Sequence, residues 1–271
     1  MTGPKPSWVV EGTNIDRPNP ARLYDYLLGG HHNFAADRAA AERLLEHLPY
    51  LKEGAIAQRA FLRRAIDLCT SEGIDQFLDI GSGLPTAGNV HDLARATIPH
   101  ARVVYVDVDP VVIAHSSEML KDDPGATIIE GDVRYPEAIL EHPEVSVLLD
   151  FERPMSLTMT SLLHFVEDDE LAYGATTTLI GALASGSYVT MSHGLLQEHT
   201  EELVSEAAES YKSTANTRPR WRDDIIRFFD GLEIVEPGLV RAPQWRPESP
   251  DDLMLETAEV SNVLVGVGRK P

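Results

Sequence analysis

Residues 77–89, FLDIGSGLPTAGN, contain the turn on which the interpretation of the whole chain depends. A short apolar run carries Asp79 near its end and then passes through Gly81 and Gly83, one residue apart. Glycine adopts backbone angles that are closed to other residues, and without a Cβ atom it allows close approach to the main chain. The dinucleotide fingerprint GxGxxG is incomplete, because Thr86 occupies its third glycine position. By itself, the turn fits a ligand site or a tight packing turn.

Apolar runs on both sides of this turn predict an α/β fold with a mostly parallel sheet. The segments QFLDIG, RVVYVDVD and ATIIEGD are short, each ends in an acid or a glycine, and each precedes a possible helix. Such alternation is typical of a parallel sheet covered on both faces. Further strands are predicted within 154–166, 186–193, 232–240 and 261–269, and helices over much of 168–184 and 197–213. The last two strands have no full helix between them, which favours an antiparallel pair.

The first 75 residues predict a helical cap that precedes the sheet. Residues 1–16 contain several proline and glycine breaks and are interpreted as an extended arm. In NPARLYDYLLGG, Asn19 can cap a helix, Pro20 suits the first helical position, and Gly29 and Gly30 can end the helix in a left-handed turn. Two more helical patterns follow, NFAADRAAAERLLEHL and EGAIAQRAFLRRAIDLCTSEG. We therefore divide the chain into a cap, 1–75, and a sheet domain, 76–271.

Composition narrows the class of partner. The formal net charge of −20 at pH 7 repels phosphate backbones and anionic lipids, so no nucleic-acid or membrane partner is expected. No apolar run reaches the roughly 20 residues that a membrane helix needs, and the first residues lack a secretory pattern. The single cysteine, Cys69, suits a reducing compartment. We expect a cytoplasmic protein with a small-molecule substrate and no metal site.

Acids at the ends of three successive strands indicate what the glycine turn could bind. Asp79 precedes the turn, Asp107 ends the second strand, and Asp132 ends the third. A carboxylate beside the turn would repel a pyrophosphate but would favour a sulfonium or ammonium group. Asp107 could accept both ribose hydroxyls and Asp132 an adenine amino group, which together describe S-adenosylmethionine (SAM). The alternative is that Asp107 and Asp132 only cap helices, as we expect for Asp109 in the helix-start pair DP.

The same motifs carry a resemblance to a known family. FLDIGSG, VVYVDVDP and IIEGDV resemble successive motifs of class I SAM-dependent methyltransferases, and YDYLLGG with NFAADR resembles, more specifically, the bacterial S-adenosyl methyltransferase family. The resemblance extends from about residue 14 to the C-terminus. It implies a Rossmann-like sheet of seven strands, one of them antiparallel, with SAM at the carboxyl ends of the first strands. The expected cofactor-binding residues are Asp79, Gly81, Ser82, Gly83, Asp107, Val108, Asp132 and Val133.

Candidate catalytic residues are the histidines near the ends of the fourth and fifth strands, and candidate lid residues lie in the helical cap. His164 is expected at the end of the fourth strand, where a histidine could act as a base, and its alternative role is to bind a neighbouring loop. For His193, at the end of the fifth strand, the structural role is favoured. Tyr24, Tyr26 and Asn33 surround the Gly29–Gly30 break and could close over the cofactor or could belong to the core.

Three functions remain open from the sequence. The preferred one is SAM-dependent methyl transfer to a small-molecule acceptor. A SAM-binding protein without catalysis would show the same cofactor residues. A nicotinamide-dependent oxidoreductase is disfavoured by the missing third glycine and by Asp79.

Overall fold

The computed structural model describes residues 14–85, 88–196, 206, 209, 212 and 214–271. The helix predicted over 197–213 falls almost entirely outside these residues, as does most of the N-terminal arm. The helices are α1 (Pro20–Leu27), α2 (Ala35–His47), α3 (Leu51–Ser71), α4 (Val90–Thr97), α5 (Pro110–Leu120), α6 (Pro136–Leu140), α7 (Pro143–Leu148), α8 (Asp169–Ala182) and α9 (Arg222–Ile226). The strands are β1 (Gln76–Ile80), β2 (Arg102–Asp107), β3 (Ala126–Glu130), β4 (Ser156–Met159), β5 (Tyr188–Gly194), β6 (Glu233–Ile234), β7 (Val240–Arg241) and β8 (Val263–Arg269).

The strands form one sheet in the order β3-β2-β1-β4-β5-β8-β6, and β7 also pairs with β8. Strands β1 to β5 are mutually parallel, and β8 is antiparallel to β5. Both β6 and β7 pair with β8 on the side away from β5, at opposite ends of β8. Together they occupy one position in the sheet. The prediction of seven strand positions with one antiparallel strand is therefore confirmed.

Two predicted strands are shorter or more broken than their apolar length suggested. The fourth run, 154–166, forms a strand only over Ser156–Met159. Ser161 adopts a left-handed φ of 51°, which turns the chain out of the sheet and into a 3₁₀ turn at Leu163–Phe165. The run 232–240 contains the two short strands β6 and β7, and the cis peptide Glu236–Pro237 lies between them.

Helix starts follow the predicted capping signals. The Asn19 side chain accepts a hydrogen bond from the backbone N–H of Arg22, and Pro20 is the first residue of α1. Beyond the end of α1, Gly29 has a φ of 80°. Asp109 caps α5 by accepting from Val111 at 2.7 Å. The capping roles of Asn19 and Asp109 are thus confirmed.

Apolar side chains cover both faces of the sheet. On one face, side chains of α8 pack with Leu78 and Ile80 of β1, and on the other, side chains of α3 pack with Phe77. A third cluster joins α1, α2 and the start of α3 into the cap. No helix among the described residues has both the length and the hydrophobicity that a bilayer-spanning segment requires.

Candidate functional site

A cavity of about 1100 Å³ lies between the cap and the sheet. Its floor is made of segments that follow β1, β2, β3 and β4, since the carboxyl ends of parallel strands meet at one edge of the sheet. The cap contributes residues of α1, α2 and α3 and of the segment between α2 and α3. The cavity is therefore where the sequence predicted a ligand.

The glycine turn borders this cavity with bare backbone. Gly81 and Gly83 have φ values of 74° and 66°, which residues with a side chain rarely adopt. A Cβ atom on Gly81 would lie 2.7 Å from Leu162, whereas a Cβ on Gly83 would meet nothing within 4 Å. Gly81 is thus required for packing, and Gly83 leaves open space beside the cavity. Ser82, between them, lines the cavity, and its buried hydroxyl has no hydrogen-bond partner among the described residues.

Asp107 is the acid most firmly oriented at the cavity. Its Oδ2 accepts a hydrogen bond from the backbone N–H of Gly83 at 2.9 Å, and its Oδ1 accepts from that of Asp109, also at 2.9 Å. Burial raises the pKa of the Asp107 carboxyl, and these two hydrogen bonds act in the opposite direction. The carboxylate is thus fixed in place at the end of β2, with capacity for further donors.

The next predicted residues, Val108, Asp132 and Val133, also line the cavity. Val108 is 57% exposed, and Val133 is buried, so the two offer apolar surface on neighbouring loops. Asp132 accepts hydrogen bonds from the backbone N–H and the guanidinium of Arg134. Burial raises the pKa of Asp132, but the bonds from Arg134 outweigh it, and the net pKa is lowered. The Asp132 carboxylate therefore stays ionised and is already hydrogen-bonded to Arg134.

Asp79 does not line the cavity, in contrast to its expected place beside a sulfonium. Alternation along β1 places it on the same face as Phe77, beside Tyr105 of β2 and on the side of the sheet that α3 covers. Burial raises the pKa of Asp79 to about 7, while the nearby Arg59 acts to lower it. The carboxyl is buried, and its role beside a ligand stays a prediction.

Of the three predicted lid residues, Tyr24 alone lines the cavity. Its hydroxyl donates to the carbonyl of Ala55 at 3.3 Å, and burial raises its pKa to about 12. Tyr26 instead donates to Glu42 at the protein surface. Asn33 is buried within the cap, where its amide donates to Asp25 at 2.8 Å.

The cap motif RLYDYLLGGHHNF is built around the Asp25 carboxylate. Asp25 accepts from the backbone N–H of His32 and from the amide of Asn33, both at 2.8 Å. A Cβ atom on Gly30 would lie 2.0 Å from Asp25 Oδ1, so that position excludes a side chain. This part of the motif therefore shapes the cap itself, and the expectation that Asn33 meets the cofactor has no support in its contacts.

His164 lines the cavity from the 3₁₀ turn, five residues after β4 rather than at its end. Burial lowers the pKa of His164 to about 4, and the charge of Arg220 contributes in the same direction. The imidazole is therefore neutral at neutral pH. Its Nδ1 is buried and has no hydrogen-bond partner among the described residues.

His193 is a buried structural residue, in agreement with the role favoured from the sequence. Its Nε2 lies 2.9 Å from Nη1 of Arg220, and its Nδ1 lies 2.8 Å from the carbonyl of Gly194. Because the guanidinium can only donate, these contacts assign the proton to Nδ1. Burial lowers the pKa of His193 well below its usual value.

Arg220 fixes the turn that carries His164. Its guanidinium donates to the carbonyls of Leu163 at 3.0 Å and Val166 at 2.9 Å, and it pairs with Asp169 at 2.9 Å. The basic segment TRPRWRDDIIR, residues 217–227, thus contributes an internal ion pair through Arg220.

Sequence reasoning missed several polar residues of the cavity, among them Gln58 and Arg59 of α3 and Ser161. Gln58 Nε2 donates to Ser192 Oγ at 3.1 Å, and Ser161 Oγ donates to Gln58 Oε1 at 2.8 Å. Arg59 donates to the carbonyl of Gly88 at 2.7 Å. The helical pattern of α3 gave no sign that one of its faces borders the cavity. No group of three or more His, Cys, Asp or Glu side chains in the described part of the chain is arranged to hold a metal ion.

Comparison with known proteins agrees with this arrangement. A family model described as S-adenosyl methyltransferase matches residues 7–271. A crystal structure of a DUF574 family protein from Streptomyces avermitilis is 36% identical, with a TM-score of 0.89, covering 95% of this chain and 99% of that one. A candidate methyltransferase from Thermobifida fusca is 38% identical, with a TM-score of 0.89, covering 98% and 99%.

A more distant likeness concerns the fold alone. Human N-acetylserotonin methyltransferase, solved in complex with SAM, is 14% identical with a TM-score of 0.50, covering 93% of this chain and 63% of that one. None of the curated proteins compared with the chain matches it. The match over nearly the whole length, together with the glycine turn and the strand order, shows that the chain is a SAM-dependent methyltransferase by class and belongs to the S-adenosyl methyltransferase family.

Proposed function

We propose that this chain binds SAM in the cavity at the carboxyl edge of the sheet and transfers its methyl group to a small-molecule acceptor. The observation that carries the proposal is the Asp107 carboxylate, which lines the cavity and is held by the backbone N–H groups of Gly83 and Asp109. A carboxylate so oriented can accept two hydroxyl donors, as a ribose presents.

The glycine turn fits the rest of such a ligand. Open space beside Gly83 allows close approach to the backbone, and the Ser82 hydroxyl, for which the described residues supply no hydrogen-bond partner, offers a donor or acceptor. Val108 and Val133 provide apolar surface beyond Asp107, suited to an adenine ring. These residues would hold the cofactor, and Asp132 would lie near its adenine end.

Arg59 is an additional candidate for cofactor binding. It lines the cavity, and its guanidinium lies near enough to Asp79 and Tyr24 for its charge to oppose the rise in pKa that burial causes in both. We assign it to the carboxylate of the methionine moiety, because a guanidinium pairs well with a planar carboxylate. In this arrangement Asp79 acts through Arg59 and makes no contact with the sulfonium.

When bound, SAM supplies a methyl group that its sulfonium makes electrophilic. The chain would contribute position and exclusion of water, because the cap covers the strand ends. His164 stays neutral at physiological pH and lines the same cavity, so it can accept a hydrogen bond from the acceptor. Because its pKa is lowered, His164 would serve mainly to orient the acceptor through this hydrogen bond and would be only a weak base for removing a proton.

Calorimetric titration with S-adenosylhomocysteine, the demethylated product, tests the cofactor site without turnover. Asp107→Ala should weaken binding by about 1–3 kcal/mol, because it removes charge-assisted hydrogen bonds to the ribose. Asp122→Asn, at an exposed position outside the cavity, serves as the control and should bind as the wild type does. Unchanged affinity of Asp107→Ala would remove this residue from the site. Binding of NAD but not of S-adenosylhomocysteine would overturn the proposed function.

A further inference from the structure

The two ends of the cavity differ in chemistry. The sheet end is lined by the glycine turn and by three carboxylates, Asp107, Asp109 and Asp132. The opposite end, the cap compartment, is lined by apolar side chains from the cap, from the His164 turn and from the segment before Arg220. These are Leu27, Leu44, Leu48, Leu51, Phe165 and Ala215, which pack as one cluster. The total volume of about 1100 Å³ exceeds the range of roughly 300–1,000 Å³ that a single small ligand fills.

Charge is sparse in the cap compartment. Between Pro20 and Ala55, the acidic and basic side chains of the cavity lining are those of Asp25 and His47. The Asp25 carboxylate already accepts hydrogen bonds from within the cap. His47 faces Glu206, with 3.3 Å between Nδ1 and Oε2. Neither group is placed to neutralise a charged ligand, so a charged group there would lose its hydration without compensation.

One polar group stands where the two ends meet. His164 lines the cavity next to Phe165 of the cap compartment, and its buried Nδ1 has no partner in the described part of the chain. Buried polar atoms are nearly always paired, so an unpaired one points to a partner that the chain does not supply. A neutral imidazole can exchange a hydrogen bond with a hydroxyl, which both donates and accepts.

We infer that the methyl acceptor is an uncharged, mainly apolar molecule that binds in the cap compartment with a hydroxyl group at His164. This inference rests on the proposed SAM site at the sheet end of the cavity. Carboxylates, phosphates and protonated amines are disfavoured because, among the described residues, the ionisable side chains of the compartment, Asp25 and His47, already have partners within the protein, so a charged ligand would lose its hydration without a counter-ion.

Binding of three matched probes tests this inference without methyl transfer. We would titrate 1-naphthol, 1-naphthoate and 1-naphthylmethylamine into the protein saturated with S-adenosylhomocysteine at pH 7.5. The neutral naphthol should bind at least tenfold more tightly than either charged probe, which shares its ring system. Equal or tighter binding of a charged probe would overturn the inference.

A pair of cap variants locates the binding. Leu48→Glu introduces a carboxylate into the compartment and should weaken 1-naphthol binding at least tenfold while strengthening binding of the cationic amine. Ile56→Glu is the control, because Ile56 belongs to the cap, is 39% exposed and does not line the cavity. Both variants should keep wild-type affinity for S-adenosylhomocysteine, which also shows that they fold. An unchanged naphthol affinity in Leu48→Glu would contradict the location.

The two proposals fail in different ways. If S-adenosylhomocysteine does not bind, the proposed function fails and the inference falls with it. If S-adenosylhomocysteine binds and 1-naphthol does not, the inference alone fails.

Discussion

Asp79 and Asp107 lie on adjacent strands and were expected to share one ligand, yet they face different surroundings. Asp107 is the last residue of β2 and turns into the loop, where backbone N–H groups meet it. Asp79 is followed by one more strand residue, so the pleat directs it between β1 and the α3 layer. Asp107 lies two register positions beyond Asp79 on the same face of the sheet, so its position past the end of β1, and not the face, distinguishes the two carboxylates.

The environment of Asp79 predicts a pH dependence of stability. Its pKa is near 3.9 in an unfolded chain and about 7 in the fold, so the folded state holds more protons between those values. The stability that this proton contributes is complete below about pH 4 and is lost as the pH rises through 7. Asp79→Asn mimics the protonated form and lacks this loss. Relative to the wild type, its free energy of unfolding should increase by roughly 4 kcal/mol between pH 4 and pH 8.

Urea unfolding of both proteins at several pH values measures this difference. Asp122→Asn is again the matched control, because Asp122 is exposed and should give a difference that does not change with pH. A constant difference for Asp79→Asn would show that Asp79 is ionised in the fold.

For single residues, the sequence correctly predicted that Asp107 lines the cavity. It made the same prediction for Asp79, which does not line it. Both strands are apolar on both faces, so no periodicity marks the residue at which a strand ends and the cavity begins. His164 was correctly predicted to line the cavity, but it was expected at the end of β4. Its apolar neighbours predicted a continuous strand, whereas the structure has a 3₁₀ turn there. Whether these residues bind cofactor or acceptor remains a prediction.

Among the elements, the β1–α4 turn offers a matched pair of substitutions. Gly81→Ala places a Cβ at 2.7 Å from Leu162, in addition to the roughly 1–2 kcal/mol cost of a left-handed residue. Gly83→Ala carries only the backbone cost, because nothing lies within 4 Å of its Cβ. Gly81→Ala should therefore destabilise the fold more, and Gly83→Ala should lose more affinity for S-adenosylhomocysteine. Denaturant unfolding and calorimetry separate the two effects, and wild-type affinity in Gly83→Ala would show that no ligand approaches this backbone.

The turn that carries His164 depends on Arg220, which is 3% exposed. Arg220→Met leaves the carbonyls of Leu163 and Val166 without these donors and removes a partner of Asp169. We expect the free energy of unfolding to fall by about 2–5 kcal/mol, because each buried carbonyl left without a donor costs about 1–3 kcal/mol. Arg218→Met is the control, because this exposed residue pairs with the same Asp169 and should cost less than about 1 kcal/mol. Similar losses from both variants would show that the buried carbonyls find other partners.

Element types were predictable where capping and periodicity agreed, as at α1 and α5. The end of β4 was not predictable, because the left-handed φ of Ser161 has no sequence signal. The division of 232–240 into β6 and β7 was also not predicted. The role of the cap motif was also hidden. Asp25 and Gly30 meet only because the chain reverses at Gly29, and a reversal of this kind brings together residues that no local pattern relates.

For the whole molecule, α3 is the element that joins the cap to the sheet. Its buried side chains include Phe61, Ile66 and Cys69, each fully buried against side chains of the sheet such as Phe77. Near its start, Ala55 belongs to the cap cluster instead. The division at residue 75, which stays a prediction, would separate α3 from the sheet that it covers.

Two truncated chains test where the independent folding unit begins. A chain of residues 76–271 lacks α3 and should not fold cooperatively. Each large core side chain removed costs roughly 3–5 kcal/mol, and losing Phe61 and Ile66 with their neighbours exceeds a typical stability of about 5–15 kcal/mol. A chain of residues 50–271 keeps α3 and should show native-like circular dichroism and one unfolding transition. It should bind 1-naphthol at least tenfold more weakly than the full chain, because α1 and α2 supply part of the cap compartment. Cooperative unfolding of residues 76–271 would instead establish the sheet domain as independent of α3.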